Sequence, residues 1–127
     1  AAKLLGREIE GRDAMERAAR DFAKKYGVAV LLKGGHLKGD IAIDLLCRNG
    51  RVTEFGAPFI RGVATHGTGC TYSAAITAGL ASDASLEKSI EQAKNFVTQT
   101  IRKYFEWKNG SGKKIQALNH SAPTAQE

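Results

Sequence analysis

The stretch Thr65-His66-Gly67-Thr68-Gly69-Cys70-Thr71, followed at once by Tyr72-Ser73-Ala74-Ala75-Ile76-Thr77-Ala78-Gly79-Leu80, decides how this 127-residue chain is read. Gly67 and Gly69 flank a threonine and a helix-prone run follows, so backbone N–H groups can converge on one point, because glycine reaches dihedrals that side chains forbid. The helix behind such a loop adds unpaired N–H groups and the positive end of its dipole, which makes phosphate, or a phosphoryl group in transfer, the natural guest. Cys70 sits on the rim of that cup. A glycine turn that merely starts a helix is the plainer alternative. Spacing excludes two familiar phosphate loops. A dinucleotide fingerprint needs glycine at the sixth position, which counting from Gly67 is Tyr72, and the Gly-Lys-Ser/Thr of a Walker A loop is absent.

Working outward, Met15, Ala18, Ala19, Phe22, Ala23 and Tyr26 recur at three- and four-residue intervals. They predict a helix from about Ala14 to Tyr26, capped by Asp13 with Glu16 three residues on, and closed by Lys24, Lys25 and Gly27. Val28-Ala29-Val30-Leu31-Leu32 is a continuous apolar run rich in branched residues, the pattern of a strand covered on both faces in a parallel sheet. It delivers Lys33 and the Gly34-Gly35 pair at its C-terminal end, where open α/β sheets bind ligands. Ile41 to Cys47 and Val52 to Phe55 flank Arg48-Asn49-Gly50-Arg51, and Asn-Gly between two β-prone runs predicts a hairpin because both residues tolerate positive φ. Pro58 ends the second strand.

The helix from about Cys70 to Ala81 is small-faced, with Ala74, Ala75, Ala78 and Gly79. Gly79 costs it about 1 kcal/mol, which close packing can offset. Ser85 caps a last long helix whose Leu86, Ile90, Ala93, Val97, Ile101 and Tyr104 form one stripe, read as core. From Lys108 the chain turns polar, and residues 108–127 are expected to be a flexible tail.

Taken together, several strings resemble the hydroxymethylpyrimidine/phosphomethylpyrimidine kinases of thiamine biosynthesis, members of the ribokinase-like superfamily. The loop at Thr65 to Thr71 is similar to their nucleotide anion hole. Leu31-Leu32-Lys33-Gly34-Gly35-His36-Leu37 matches upstream, and Asp44-Leu45-Leu46, Phe55-Gly56-Ala57-Pro58, Glu91 to Val97 and the closing Asn119-His120 also look like family positions. The resemblance implies an α/β fold, the C-terminal half of a ribokinase-like three-layer α/β/α sandwich with a mostly parallel sheet and a β-hairpin, in a single partial kinase domain over 1–127. It is expected to be a C-terminal half because Ala1 to Gly6 reads as the end of a helix already under way. The magnesium-handling Asn-x-x-Glu that precedes such a helix end in the family does not occur in these residues.

The resemblance also implies roles. The amides of Gly67, Thr68, Gly69 and Cys70 would stabilise the transferring phosphoryl group, each donor contributing on the order of 3 kcal/mol to the transition state. Cys70 would take the proton of the acceptor hydroxyl, the task of an Asp in most ribokinase-like enzymes, and a helix N-terminus suits a thiol to it. Lys33, Gly34, Gly35, Thr65 and His66 would bind ATP and its phosphates, with His36 a supporting contact. Magnesium would ride on the nucleotide, with no metal ligand expected from this chain. The implied activity is ATP-dependent phosphorylation of 4-amino-5-hydroxymethyl-2-methylpyrimidine and its monophosphate. The rivals are a pyridoxal or other vitamin-type kinase, and a non-catalytic nucleotide-binding fragment.

Composition sets the outer bounds. With 43% hydrophobic and 25% charged residues the chain is that of an ordinary globular protein. The net charge of +6 is spread along it. No block of like charge and no aromatic interleaving suggests nucleic acid. No run approaches the length of a membrane-spanning helix, so a cytoplasmic protein acting on a small molecule is expected. Cys47 and Cys70 are read as reduced thiols. A half-sheet exposes an edge, so association with a second copy or with the missing N-terminal half is expected.

Overall fold

The computed structural model describes residues 1–6, 8–34, 39–64 and 66–121. They fall into two compact units, Ala1–Phe59 and Ile60–Glu127. The first opens on a short helix, α1 (Ala2–Leu5), closed by Gly6 in the left-handed conformation. The main helix, α2 (Gly11–Tyr26), follows, and then strands β1 (Val30–Lys33), β2 (Ile41–Arg48) and β3 (Arg51–Pro58) in the order β1-β2-β3.

The apolar stripe of α2 buries Met15, Ala18, Ala19 and Phe22, and the helix ends as expected on left-handed Gly27. Two details differ. Asp13 is not the cap; the helix begins two residues earlier behind Glu10, and Glu16 is occupied by Arg12 at 3.1 Å and Arg20 at 2.8 Å. Tyr26 stacks on Phe22 at 6.0 Å but stays exposed. The same arginines reach the hairpin: Arg12 Nε donates to Glu54 Oε2 at 2.8 Å and Arg20 Nη1 to the Gly50 carbonyl at 2.7 Å.

The hairpin turns where Asn-Gly demands it, with φ of 50° at Asn49 and 74° at Gly50, both positive as in a tight I′ turn. The pairing direction of β1 differs from the expectation. It runs antiparallel to β2, Val30 opposite Cys47 and Lys33 opposite Asp44. An apolar run reports burial on both faces, not which way its neighbour points, and the strand buried without interruption is β2, from Asp44 to Cys47. Among the described residues all strand pairs are antiparallel.

The second unit pairs helix α3 (Thr68–Ala81) with helix α4 (Leu86–Arg102). Ser85 caps α4, its hydroxyl accepting from the Lys88 amide at 3.2 Å, and Ile90, Ala93, Val97 and Thr100 are buried. Tyr104 of the predicted stripe falls beyond the helix.

Where a flexible polar stretch was expected, strands β4 (Phe105–Lys108) and β5 (Lys114–Ala117) form a hairpin. Asn109 organises its loop: Oδ1 accepts from the amides of Ser111 at 3.1 Å and Lys113 at 2.9 Å. The Glu106 carboxyl lies below its ordinary range, first through its hydrogen bond from Lys114 and then through Gln116. Its folded value lies below its unfolded one, so this tie supports the hairpin above the unfolded value and fades as pH falls through the folded one.

Gly79 is a point of close approach of the two helices. A Cβ there would stand 2.7 Å from Ser89 Oγ, 2.9 Å from its Cβ and 3.2 Å from its Cα. Gly79→Ala gains about 1 kcal/mol of helix propensity but forces α4 away at a cost of about 1–3 kcal/mol, so a net loss of up to about 2 kcal/mol is expected in urea unfolding. A gain in stability would show the contact to be loose. Ser89 Oγ is buried with no hydrogen-bond partner among the described residues, so Ser89→Ala is expected to leave stability unchanged or raise it.

Candidate phosphate-binding site

Everything at the start of α3 follows from Gly67. Its φ of 86° and ψ of −9° place it in the left-handed region, where an L side chain is strained, and it occupies the N-cap position without a capping side chain. The chain thereby turns from His66, which is exposed, straight into the helix. The first helical bond is that of the Thr71 amide to the Gly67 carbonyl at 3.0 Å, so the amides of Thr68, Gly69 and Cys70 belong to the turn whose N–H groups point out of the N-terminus. Thr71 Oγ1 donates to the same carbonyl at 3.1 Å. Cys70 is exposed beside these amides and Cys47 is buried, both as free thiols.

A groove runs from this turn along the small face of α3, past Ala74 and Ala78, with Gln92 and Phe96 of α4 opposite and His120 at its mouth. His120 Nε2 lies 2.9 Å from Thr71 Oγ1.

Lys33 and Gly34 lie in the first unit. Lys33 is the exposed last residue of β1. Gly34 is buried, and its amide donates to Asp44 Oδ1 at 3.1 Å. A Cβ at Gly34 would run into the Ile43 carbonyl oxygen and come within 3.0 Å of the Met15 sulfur and methyl, so packing alone requires glycine. With its amide committed to Asp44, Gly34 is not a free donor. Gly35, His36 and Thr65 lie outside the described residues. Among the described residues no group of His, Cys, Asp or Glu side chains is placed to hold a metal ion, and no helix is long and apolar enough to cross a membrane.

Two supporting residues were given no role by the sequence reading. Asp44 carried a signal, since it is the one acid in the apolar run from Ile41 to Cys47 and is buried in the strand. His120 carried none locally, because its partner is 49 positions away.

The chain is α/β, with a helix that starts on a left-handed glycine beside an exposed cysteine, and solved kinases share its fold. An ADP complex of Bacillus subtilis pyridoxal kinase superposes with a TM-score of 0.83 at 32% identity, over 95% of this chain and 46% of that one. Pyridoxal kinase from Staphylococcus aureus, in complex with AMP-PCP and pyridoxal, gives 0.80 at 27% identity, over 91% of this chain and 42% of that one. The family model described as phosphomethylpyrimidine kinase matches residues 1–114, and the chain belongs to that family. A hydroxymethylpyrimidine/phosphomethylpyrimidine kinase from Aquifex aeolicus is 41% identical over 99 residues, which are 78% of this chain and 39% of that relative. The chain thus spans less than half the length of the relatives it matches. Their kinship makes the α/β, ribokinase-like assignment of the fold firm.

The two thiols give a direct check of the geometry. Iodoacetamide is expected to add once to the native chain, at exposed Cys70, and a second time at Cys47 only after unfolding, as read by peptide mass mapping. Native labelling at Cys47, or none at Cys70, contradicts the described site.

Proposed function

We propose that this chain is the C-terminal part of an ATP-dependent kinase that phosphorylates 4-amino-5-hydroxymethyl-2-methylpyrimidine and its monophosphate in thiamine biosynthesis. The observation that carries the reading is the turn at Gly67, which sets helix N-terminal amides beside the exposed thiol of Cys70. Membership of the phosphomethylpyrimidine kinase family supports the acceptor.

In this reading the amides of Gly67, Thr68, Gly69 and Cys70 face the equatorial oxygens of the transferring group, where fixed donors act on charge as it develops. The acceptor hydroxyl oxygen forms the new bond to the γ-phosphorus while the bond to the ADP oxygen breaks. The hydroxyl proton passes to Cys70 Sγ. Lys33 supplies a positive charge to the nucleotide phosphates, with Gly34, Gly35, Thr65 and His66 lining their path. Magnesium is carried by the nucleotide. We place the enzyme in the cytoplasm, with both units as parts of one kinase domain, completed by the rest of the fold or by a second copy.

A pyridoxal-type acceptor is the second reading, supported by the pyridoxal kinases among the similar structures. Turnover of the full polypeptide with ATP and each acceptor separates the two. Preference for the pyrimidine supports the proposal, a preference for pyridoxal overturns its acceptor, and nucleotide binding without turnover of either reduces the chain to a binding module. Cys70→Ala is expected to lower kcat by roughly 10²-fold or more with the fold retained, the usual scale for a lost proton acceptor. Lys33→Ala is expected to raise the KM for ATP while leaving the acceptor KM in place, measured in the same steady-state assay.

A further inference from the structure

We infer that His120 is a positioning residue for the anion-binding turn, holding the first turn of α3 through the hydroxyl of Thr71. What the turn does rests on the kinase reading above; how it is held rests on geometry alone. The Thr71 hydroxyl owns one proton and lies 3.1 Å from the Gly67 carbonyl, a group that can only accept, so we assign that proton to it. Toward His120 Nε2, at 2.9 Å, the same oxygen is left to accept, so the ring meets it as an Nε2–H donor. The relay therefore runs from imidazole N–H to hydroxyl to the carbonyl of the N-cap residue, each bond polarising the next. Its end point, Gly67, is the residue whose left-handed backbone starts the helix.

The backbone just before His120 is itself tied to the end of α4. Leu118 is buried, the Asn119 amide donates to the Thr100 carbonyl at the end of α4 at 3.1 Å, and the Ser121 amide donates to Asn119 Oδ1 at 3.1 Å. The segment after β5 is thus tied to α4 just before His120, and the Asn119 side chain closes a local turn over Ser121. Helix ends fray, and the four leading N–H groups have no intrahelical acceptor, so the first turn is the part of α3 with least support of its own. A tie from the far end of the unit to its fourth residue is placed where it has most effect. No observation sets His120 against a reacting atom, so its action is through Thr71.

The test compares His120→Ala, His120→Gln, Thr71→Val and the double variant His120→Ala/Thr71→Val in the full polypeptide. His120→Ala and Thr71→Val are each expected to lower kcat by about tenfold, the scale of one hydrogen bond, with the acceptor KM within about twofold of wild type. The double variant is expected to be no worse than either single one, because both break the same relay. In His120→Gln the introduced side chain carries an amide N–H close to the place of Nε2, and this variant is expected to restore most of the rate. Amide hydrogen exchange at Thr71 gives a readout that needs no activity: it is expected to quicken by about tenfold in His120→Ala and Thr71→Val and to return toward wild type in His120→Gln. Unchanged exchange in His120→Ala overturns the inference whatever the turnover, as does additive loss in the double variant. A wild-type polypeptide that turns over neither acceptor but shows this exchange pattern overturns the kinase reading and upholds the tie.

Discussion

A left-handed backbone at Gly67, with φ of 86°, is the constraint on which the second unit's site depends. A residue with a Cβ would be strained there, and the alternative is a helix that starts elsewhere or a loop that turns the other way. With glycine in place, the carbonyl of Gly67 collects both the amide and the hydroxyl of Thr71. Anion binding by such a turn needs no charged side chain, since the donors are main-chain groups whose positions the helix fixes.

The first unit solves a different problem with similar means. Gly34 leaves β1 into the interior, where a buried N–H without a partner would cost about 1–3 kcal/mol. Asp44 supplies the acceptor from the opposite strand, one residue along from Ile43, whose carbonyl leaves no room for a side chain at Gly34. Steric exclusion and hydrogen bonding therefore fix one residue from two sides. Lys33, directly before it and opposite Asp44 in the register, inherits that rigidity at its backbone while its side chain stays exposed.

What could be read in the sequence were the features decided within a few residues. Asn49-Gly50 fixes its turn through its own dihedrals, Ser85 caps α4 through a hydroxyl three residues from its partner amide, and Gly67 sets its helix start unaided. The misreadings share the opposite property. Asp13 with Glu16 has the form of a capping box, yet Glu16 is drawn to Arg12 and Arg20 instead. The direction of β1 depends on its partner strand, which an apolar run does not encode. In β4 and β5 the apolar residues alternate over only four positions each, on either side of a loop of Gly, Ser and Lys that dominates the composition. Gly34 was expected to sit beside a ligand, whereas the reason the structure shows for glycine there, a carbonyl and a methionine pressed against its Cα, is tertiary.

The tie between His120 and Thr71 belongs to the same tertiary class, and its energetic logic explains why such a contact can matter while being a single hydrogen bond. Closing 49 residues costs chain entropy that one bond of about 1 kcal/mol cannot offset. The closure is instead supported by burial that serves the whole unit: Leu118 in the interior, the pairing of β4 with β5, and α4 against α3. Once those contacts have brought the segment home, the imidazole meets the hydroxyl at little further entropic cost, and most of the bond's free energy is available to order the turn. A turn that works by presenting amides in a fixed fan gains more from that order than from any additional donor, because misaligned N–H groups lose their grip on an anion steeply with angle.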